Sequence, residues 1–264
     1  MTKKLVTQAI VQCNEQGNKA FVPYIMAGDG GLQTLKKTIL FLQEAGATAI
    51  EVGIPFSDPV ADGDVIQQAG ERALAEGITL RKIMKELASF KEEVKIPLVI
   101  MTYLNPVLSY GLQSIAADCE ASGVYGLIVP DLPLEESGLL KEALNNSDVA
   151  LIQLVSLTSP AERIEAIAKA AEGFIYAVTV NGITGVRSSF TEGLEGHLER
   201  LKAASSVPVL AGFGISTPEH VRTLGGLADG VIVGSAIVTA LHEGDNEKVR
   251  TLINASKNQL TNSQ

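Results

Sequence analysis

AIEVGIPFSDPVADGD, residues Ala49–Asp64, opens as a short apolar strand and breaks at Gly53-Ile54-Pro55. It carries four acidic residues in sixteen positions, and one of them, Glu51, lies inside the apolar run itself. Burying a carboxylate costs on the order of several kcal/mol unless a partner or a task offsets it. Strict alternation along a strand puts Ala49, Glu51 and Gly53 on one face and Ile50, Val52 and Ile54 on the other. The branched trio suits contact with helices. Glu51, flanked by small residues, then points to the opposite side.

The same passage from helix end through glycine into strand recurs along the chain. EAGATAIEV, ASGVYGLIV, AAEGFIYAV and GLADGVIVG all follow it, and glycine suits the left-handed residue that ends a helix. Short apolar runs fall at Ala20–Met26, Ala49–Val52, Pro97–Met101, Gly126–Val129, Ala150–Val155, Phe174–Val178, Val207–Ala211 and Gly230–Val233. Each is too short for a helix and almost continuously apolar, as parallel strands covered on both faces are. Helical segments separate them. Leu32–Ala45 puts Leu35, Ile39 and Leu42 on one face, and Leu80–Phe90 does so with Leu80, Ile83, Met84 and Leu87. Ser159-Pro160 and Thr217-Pro218 read as a capping residue followed by proline at the first helical position.

Eight strands alternating with helices in 264 residues predict an α/β fold, a (β/α)₈ barrel in one domain spanning 1–264. A doubly wound open sheet has the same local pattern, because pattern alone does not close a barrel. Two extra helices are expected, one before the first strand covering the barrel bottom and one over Gly63–Ala75 after the second strand.

Composition narrows the function. With 21 basic and 30 acidic residues the net charge is −9, which disfavours nucleic acid or an anionic membrane as the main partner. No run approaches the roughly 20 apolar residues needed to span a bilayer, and the N-terminus lacks a signal-like core. Cys13 and Cys119 lack metal-ligand spacing and read as free thiols, so a cytoplasmic protein is expected. His197, His220 and His242 lie among polar helix residues and read as solvated surface groups. No cluster suggests a metal, and no strand carries an obvious Schiff-base lysine.

In a barrel the chemistry sits at the C-terminal ends of the strands. Glu51 is there, followed by Asp58, Asp62 and Asp64 on a loop stiffened by Pro55 and Pro59. Paired carboxylates can divide two proton-transfer roles. The long Thr179–Gly193 loop after strand six has the make-up of one that closes over a ligand. Gly212-Phe213-Gly214 and Gly234-Ser235 follow strands seven and eight, where barrels often cradle phosphate at a helix N-terminus.

These residues resemble the tryptophan synthase alpha subunit family. The resemblance rests on FVPYIMAGDG, IEVGIPFSDPVADGDVIQ, MTYLNPVLSYG, GLIVPDLPLEES, NGITGVRSSF, AGFGIS and GVIVGSAIV, in family order over almost the whole chain. It implies retro-aldol cleavage of indole-3-glycerol phosphate to indole and glyceraldehyde 3-phosphate, with Glu51 moving protons and Asp62 facing the indole N–H. It implies phosphate near Gly185, Gly214, Gly234 and Ser235, indole near Phe21, Tyr103, Tyr176 and Phe213, and Thr184 pairing with the loop aspartate. No cofactor is expected in this chain. The family's beta subunit binds pyridoxal phosphate and receives the indole within an alpha-beta-beta-alpha heterotetramer. Pro55–Pro59, Asn105-Pro106 and Asp131–Pro133 would face that partner. A stand-alone lyase and a non-catalytic allosteric module are the alternatives.

Two positions depart from the family pattern. AGDGG has Gly30 where many relatives have proline, and Asp64 stands where proline is common. Asp64 is expected to raise the pKa of Asp62.

Overall fold

The structure, a computed structural model, describes residues 4–156, 158–179 and 188–257. Eight parallel strands close into a barrel in sequence order: β1 (Ala20–Met26), β2 (Ile50–Gly53), β3 (Leu98–Met101), β4 (Val124–Ile128), β5 (Ala150–Ser156), β6 (Ile175–Val178), β7 (Val209–Gly212) and β8 (Gly230–Val233). Pairing of β8 with β1 completes the ring, Ala20 opposite Gly230 and Pro23 opposite Val233. The open-sheet alternative is thereby excluded. The strands are almost wholly buried, as parallel strands between a packed interior and an outer helix layer must be.

The helices are α1 (Leu5–Glu15), α2 (Leu35–Ala45), α3 (Asp64–Ala75), α4 (Leu80–Ser89), α5 (Leu104–Tyr110), α6 (Leu112–Ala121), α7 (Gly138–Ala143), α8 (Ala161–Ala170), α9 (Ser188–Ala204), α10 (Pro218–Leu227), α11 (Ser235–Glu243) and α12 (Asn246–Asn254). The two expected extra helices are α1 and α3. At the barrel bottom α1 is held by Thr7, whose hydroxyl donates to the Gly173 carbonyl (2.6 Å), and by Lys4, which donates to the Ser147 carbonyl (2.5 Å). At the top α3 packs against β1 and α11. A bidentate pair ties it to the loop after β1, with Arg72 Nε 2.7 Å and Nη2 2.8 Å from the Asp29 carboxylate. That loop turns through Gly30 at φ 81°, a value closed to proline. The departure at AGDGG therefore has a backbone reason.

Thr217 caps α10, its hydroxyl accepting from His220 N (3.2 Å), with Pro218 opening the helix. At α8 the first helical residue is Ala161, and Pro160 occupies the cap position without a side-chain bond. Gly46 ends α2 in the left-handed conformation. His197 is not a surface group. It is buried on α9 beside Leu194, Leu198 and Leu201, and burial together with Arg200 pushes its pKa down. Among the described residues no helix is long and apolar enough to cross a membrane.

At the barrel bottom Gly230 lies close against Ala20. A Cβ on Gly230 would press into the Ala20 backbone oxygen and come within 2.6 Å of the Ala20 Cβ. Backbone cannot move aside cheaply, so Gly230→Ala should destabilise by about 1–3 kcal/mol. Chemical denaturation should show a lower midpoint at unchanged slope. A midpoint equal to the parent's would mean that β1 and β8 are not in this contact.

Candidate active site

Four short devices build the barrel mouth. Strand β2 ends at Gly53, and its alternation turns Glu51 into the barrel, where it is 1% exposed. The β2 register places Glu51 beside Tyr24 of β1 and Val99 of β3. The loop after β2 carries Asp62, half-buried, with its carbonyl accepting from Gln67 Nε2 (2.8 Å). The N-terminus of α5 supplies Tyr103, whose hydroxyl accepts from Ala61 N (2.9 Å) and hydrogen-bonds the Asp62 carboxylate. Finally, Tyr176 of β6 tilts against Phe213 with ring centroids 5.8 Å apart.

Tyr103 is held by its own supports. Asp131, on the loop after β4, accepts from Leu104 N at the start of α5 (2.9 and 3.2 Å), a favourable site for a negative charge. Phe56 stacks on the Tyr103 ring, centroids 5.2 Å apart. The loops after β2, β3 and β4 are thus linked through one phenol.

Electrostatics separate the two carboxyls. Burial pushes the pKa of Glu51 up to about 8, and the charge of Asp62 adds to that. Neither Glu51 carboxyl oxygen has a hydrogen-bond partner among the described residues. Burial pushes Asp62 only to about 6, because the Tyr103 hydrogen bond pulls it back. Near pH 7 these values keep the proton on Glu51 and leave Asp62 ionised. Asp64 is not among the causes acting on Asp62, contrary to the expectation from sequence. It is exposed in the first turn of α3, where a carboxylate favours the helix dipole. Asp58 is exposed, bonded to the Ser57 hydroxyl.

The ends of β7 and β8 open at the same end of the barrel. Gly234 precedes α11, and its carbonyl already serves Ile237 N and Val238 N. The first amides of the helix, from Ser235 onward, are the kind that seek an external anion. Gly214 sits on the loop after β7 at φ 73°, with open space where a Cβ would be. Thr179 fixes this loop by donating to the carbonyls of Gly212 (2.6 Å) and Phe213 (2.9 Å).

The structure thus brings together Glu51, Asp62, Tyr103 and Tyr176, and lines up Phe213, Gly214, Gly234 and Ser235 at the ends of β7 and β8. Thr184 and Gly185 lie outside the described residues. Phe21 is a correction. Tyr24 points inward, electrostatically coupled to Asp62 and Glu51, and Phe21, three residues earlier, is on the opposite face of β1. Its ring is fully buried on the side of the surrounding helices. Tyr24 takes the place at the mouth. Its hydroxyl lies against Gly53, where any Cβ would collide with it, just as a Cβ on Gly212 would collide with Tyr176. Alternation counted back from a known partner of Glu51 is the signal that singles out Tyr24. Among the described residues no group of three or more His, Cys, Asp or Glu side chains is placed to hold a metal. A cavity of about 390 Å³ lined by Phe41, Val238 and Leu241 lies between α2 and α11 and contains neither carboxyl of the pair.

A closed (β/α)₈ barrel with a buried carboxyl pair inside its C-terminal mouth is the architecture of an acid–base enzyme. Comparison with known proteins names the family. Residues 10–263 match the family model described as tryptophan synthase alpha chain. Tryptophan synthase alpha chains of Bacillus cereus and Bacillus anthracis are 53% and 51% identical over 243 residues, covering 92% of this chain and 94% of theirs. A Mycobacterium tuberculosis tryptophan synthase structure superposes with a TM-score of 0.87 at 34% identity, covering 96% of this chain and 98% of that one. The alpha chain structure from Legionella pneumophila gives 0.87 at 31% identity, over 98% and 100%. This chain belongs to the tryptophan synthase alpha chain family.

The Glu51 shift has a consequence for stability. Between the ordinary value of 4.5 and about 8, the folded protein keeps a proton that the unfolded chain releases. Stability is therefore highest below that window and falls as pH rises through it. Glu51→Gln removes this loss. Its melting temperature should exceed the parent's by several degrees at pH 8–9 and differ little at pH 4.5. Parallel melting curves for the two proteins across this range would show that Glu51 is not held protonated by burial.

Proposed function

We propose that this chain cleaves indole-3-glycerol phosphate to indole and glyceraldehyde 3-phosphate, as a carbon–carbon lyase of tryptophan biosynthesis. What supports the reading is the Glu51–Asp62 pair in the barrel mouth, where burial pushes Glu51 up to about 8 and Asp62 only to about 6.

The difficulty of this retro-aldol reaction is the leaving group, since a carbanion at indole C3 is poor. Protonated Glu51 gives its proton to C3, and the positive charge that develops at the ring nitrogen falls to Asp62, whose carboxylate accepts the N–H. Glu51, now a carboxylate, takes the proton from the hydroxyl on the carbon next to the ring. The C–C bond breaks, its electron pair restores the indole, and the hydroxyl carbon becomes the aldehyde. Glu51 ends protonated, as it began. Both of its roles suit a group whose pKa lies near working pH. Tyr103 keeps Asp62 oriented, and the aromatic rings supply a flat apolar wall for indole. The phosphate, anchored at Gly214, Gly234 and Ser235 and, by family resemblance, at Gly185, fixes the substrate's reach.

Indole passes, in this reading, to a beta subunit carrying pyridoxal phosphate, within an alpha-beta-beta-alpha assembly. An exposed apolar surface supports such a partner. Val60 is 84% exposed after β2, and Leu108 on α5 and Leu139 on α7 are 44% and 46% exposed. Ser57, Asp58, Asn105, Asp131 and Pro133 are exposed as well. Pro55 is buried at the base of its loop and does not belong to that surface.

Activity should rise as Asp62 loses its proton and fall as Glu51 loses its own, a bell with limbs near 6 and 8. Asp62→Asn should flatten the acid limb and move the alkaline limb to lower pH, because the charge that helps hold the Glu51 proton is gone. Glu51→Gln should lower kcat by about 10²–10⁴. Indole release, followed with and without purified beta subunit, tests all three. Full turnover in Glu51→Gln would sink the mechanism, and an unchanged rate on adding the beta subunit would favour a stand-alone lyase.

A further inference from the structure

A cavity of about 250 Å³ lies on the outer face of β5, between the loop 129–134 after β4 and α8. The helix layer is thin there, because α7 has only six residues and packs against α6. Leu154 of β5 pairs with Tyr176, which points inward towards Glu51. By alternation Leu151, Gln153 and Val155 then point outward. Such positions on a buried parallel strand are ordinarily apolar, and Leu151 and Val155 conform. Gln153 does not. It is 6% exposed and lines the cavity, and its side-chain amide makes no hydrogen bond to a described residue. A buried amide is costly unless its donor and its acceptor are both met.

The rest of the cavity says what would meet them. Leu132, Leu151 and Ile167 form buried apolar walls. Arg163 stands at the rim, and its guanidinium already donates twice to the Glu135 carboxylate (2.5 and 3.2 Å). The charge is thus matched, and the unmet group is neutral. Nε2 of Gln153 donates and Oε1 accepts, side by side. A partner that satisfies both presents the same edge, an N–H beside a C=O. A carboxylate has no N–H to offer Oε1. We propose that this cavity is a binding site for a small neutral carboxamide or lactam, its polar edge paired with Gln153 and its apolar body against the leucines. The cavity contains neither Glu51 nor Asp62, so the inference is independent of the cleavage reading.

Benzamide carries the required edge on a small ring, and N,N-dimethylbenzamide keeps the ring and carbonyl without the donor. In the ¹⁵N-labelled full chain, the Gln153 side-chain NH₂ signals are assigned by their loss in Gln153→Leu. They should shift saturably as benzamide is added. The dimethyl compound should bind about tenfold more weakly, and so should benzamide to Gln153→Leu, followed there through the backbone amides of Leu132 and Leu151. Gln153→Leu deletes an unpaired amide and should melt no lower than the parent; Gln153→Met provides a second variant with the same expected loss. No saturable shift would mean a cavity for solvent only. Equal affinity for the two compounds, or for parent and variants, would mean that the amide selects nothing. Either result overturns the site. Indole release by the parent is measured separately, so failure here leaves the cleavage reading untouched.

Discussion

Removal of water from one carboxyl group is the constraint on which the site depends. Glu51 is almost fully buried on an interior strand, and neither of its oxygens is bonded to a described residue. A buried ionised carboxylate without partners is costly, so the proton stays on. The barrel is what enforces this. Parallel strands buried on both faces shield β2 from solvent, and glycine at Gly53 lets the Tyr24 hydroxyl pack against the strand end. The same desolvation that lowers stability as pH rises from 4.5 to about 8 is what, in the proposed mechanism, leaves Glu51 a proton to give at neutral pH. Stability and function are opposed at this residue, as is common where a buried group does chemistry.

The second carboxyl is kept different by its surroundings. Asp62 sits on a loop, less buried, and receives the Tyr103 hydrogen bond. Tyr103 is oriented by Ala61 N, the Phe56 ring and the Asp131-capped start of α5. Contacts from three loops thus converge on one phenol, and through it on the ionisation of Asp62.

Much of the fold was legible because buried parallel strands are nearly continuous in apolarity. β1 and β8 coincide with their apolar runs, and the others differ by a residue or two at their ends. Closure of the ring was not legible, since the Ala20–Gly230 pairing joins residues far apart in sequence. Within the site, Glu51 announced itself by being charged in an apolar strand. Tyr24 did not, because all seven residues of β1 are buried and its sequence offers no polar residue to mark the inner face; only pairing with Glu51 does. His197 shares the spacing of Leu194, Leu198 and Leu201, so its burial was readable from helical period and obscured by polar neighbours. Asp64 lies two residues from Asp62 in sequence, but α3 begins at Asp64 and carries it away into solvent.

The ionisation of Glu51 itself is the most direct test of this account. Selective ¹³C labelling of glutamate carboxyls, with the Glu51 signal assigned by comparison with Glu51→Gln, reports that group's own titration in the intact protein. The account predicts a midpoint near 8, with the carboxyl still protonated at pH 7. A midpoint near the ordinary 4.5 would contradict it, because Glu51 would then have no proton to give to the substrate ring at neutral pH.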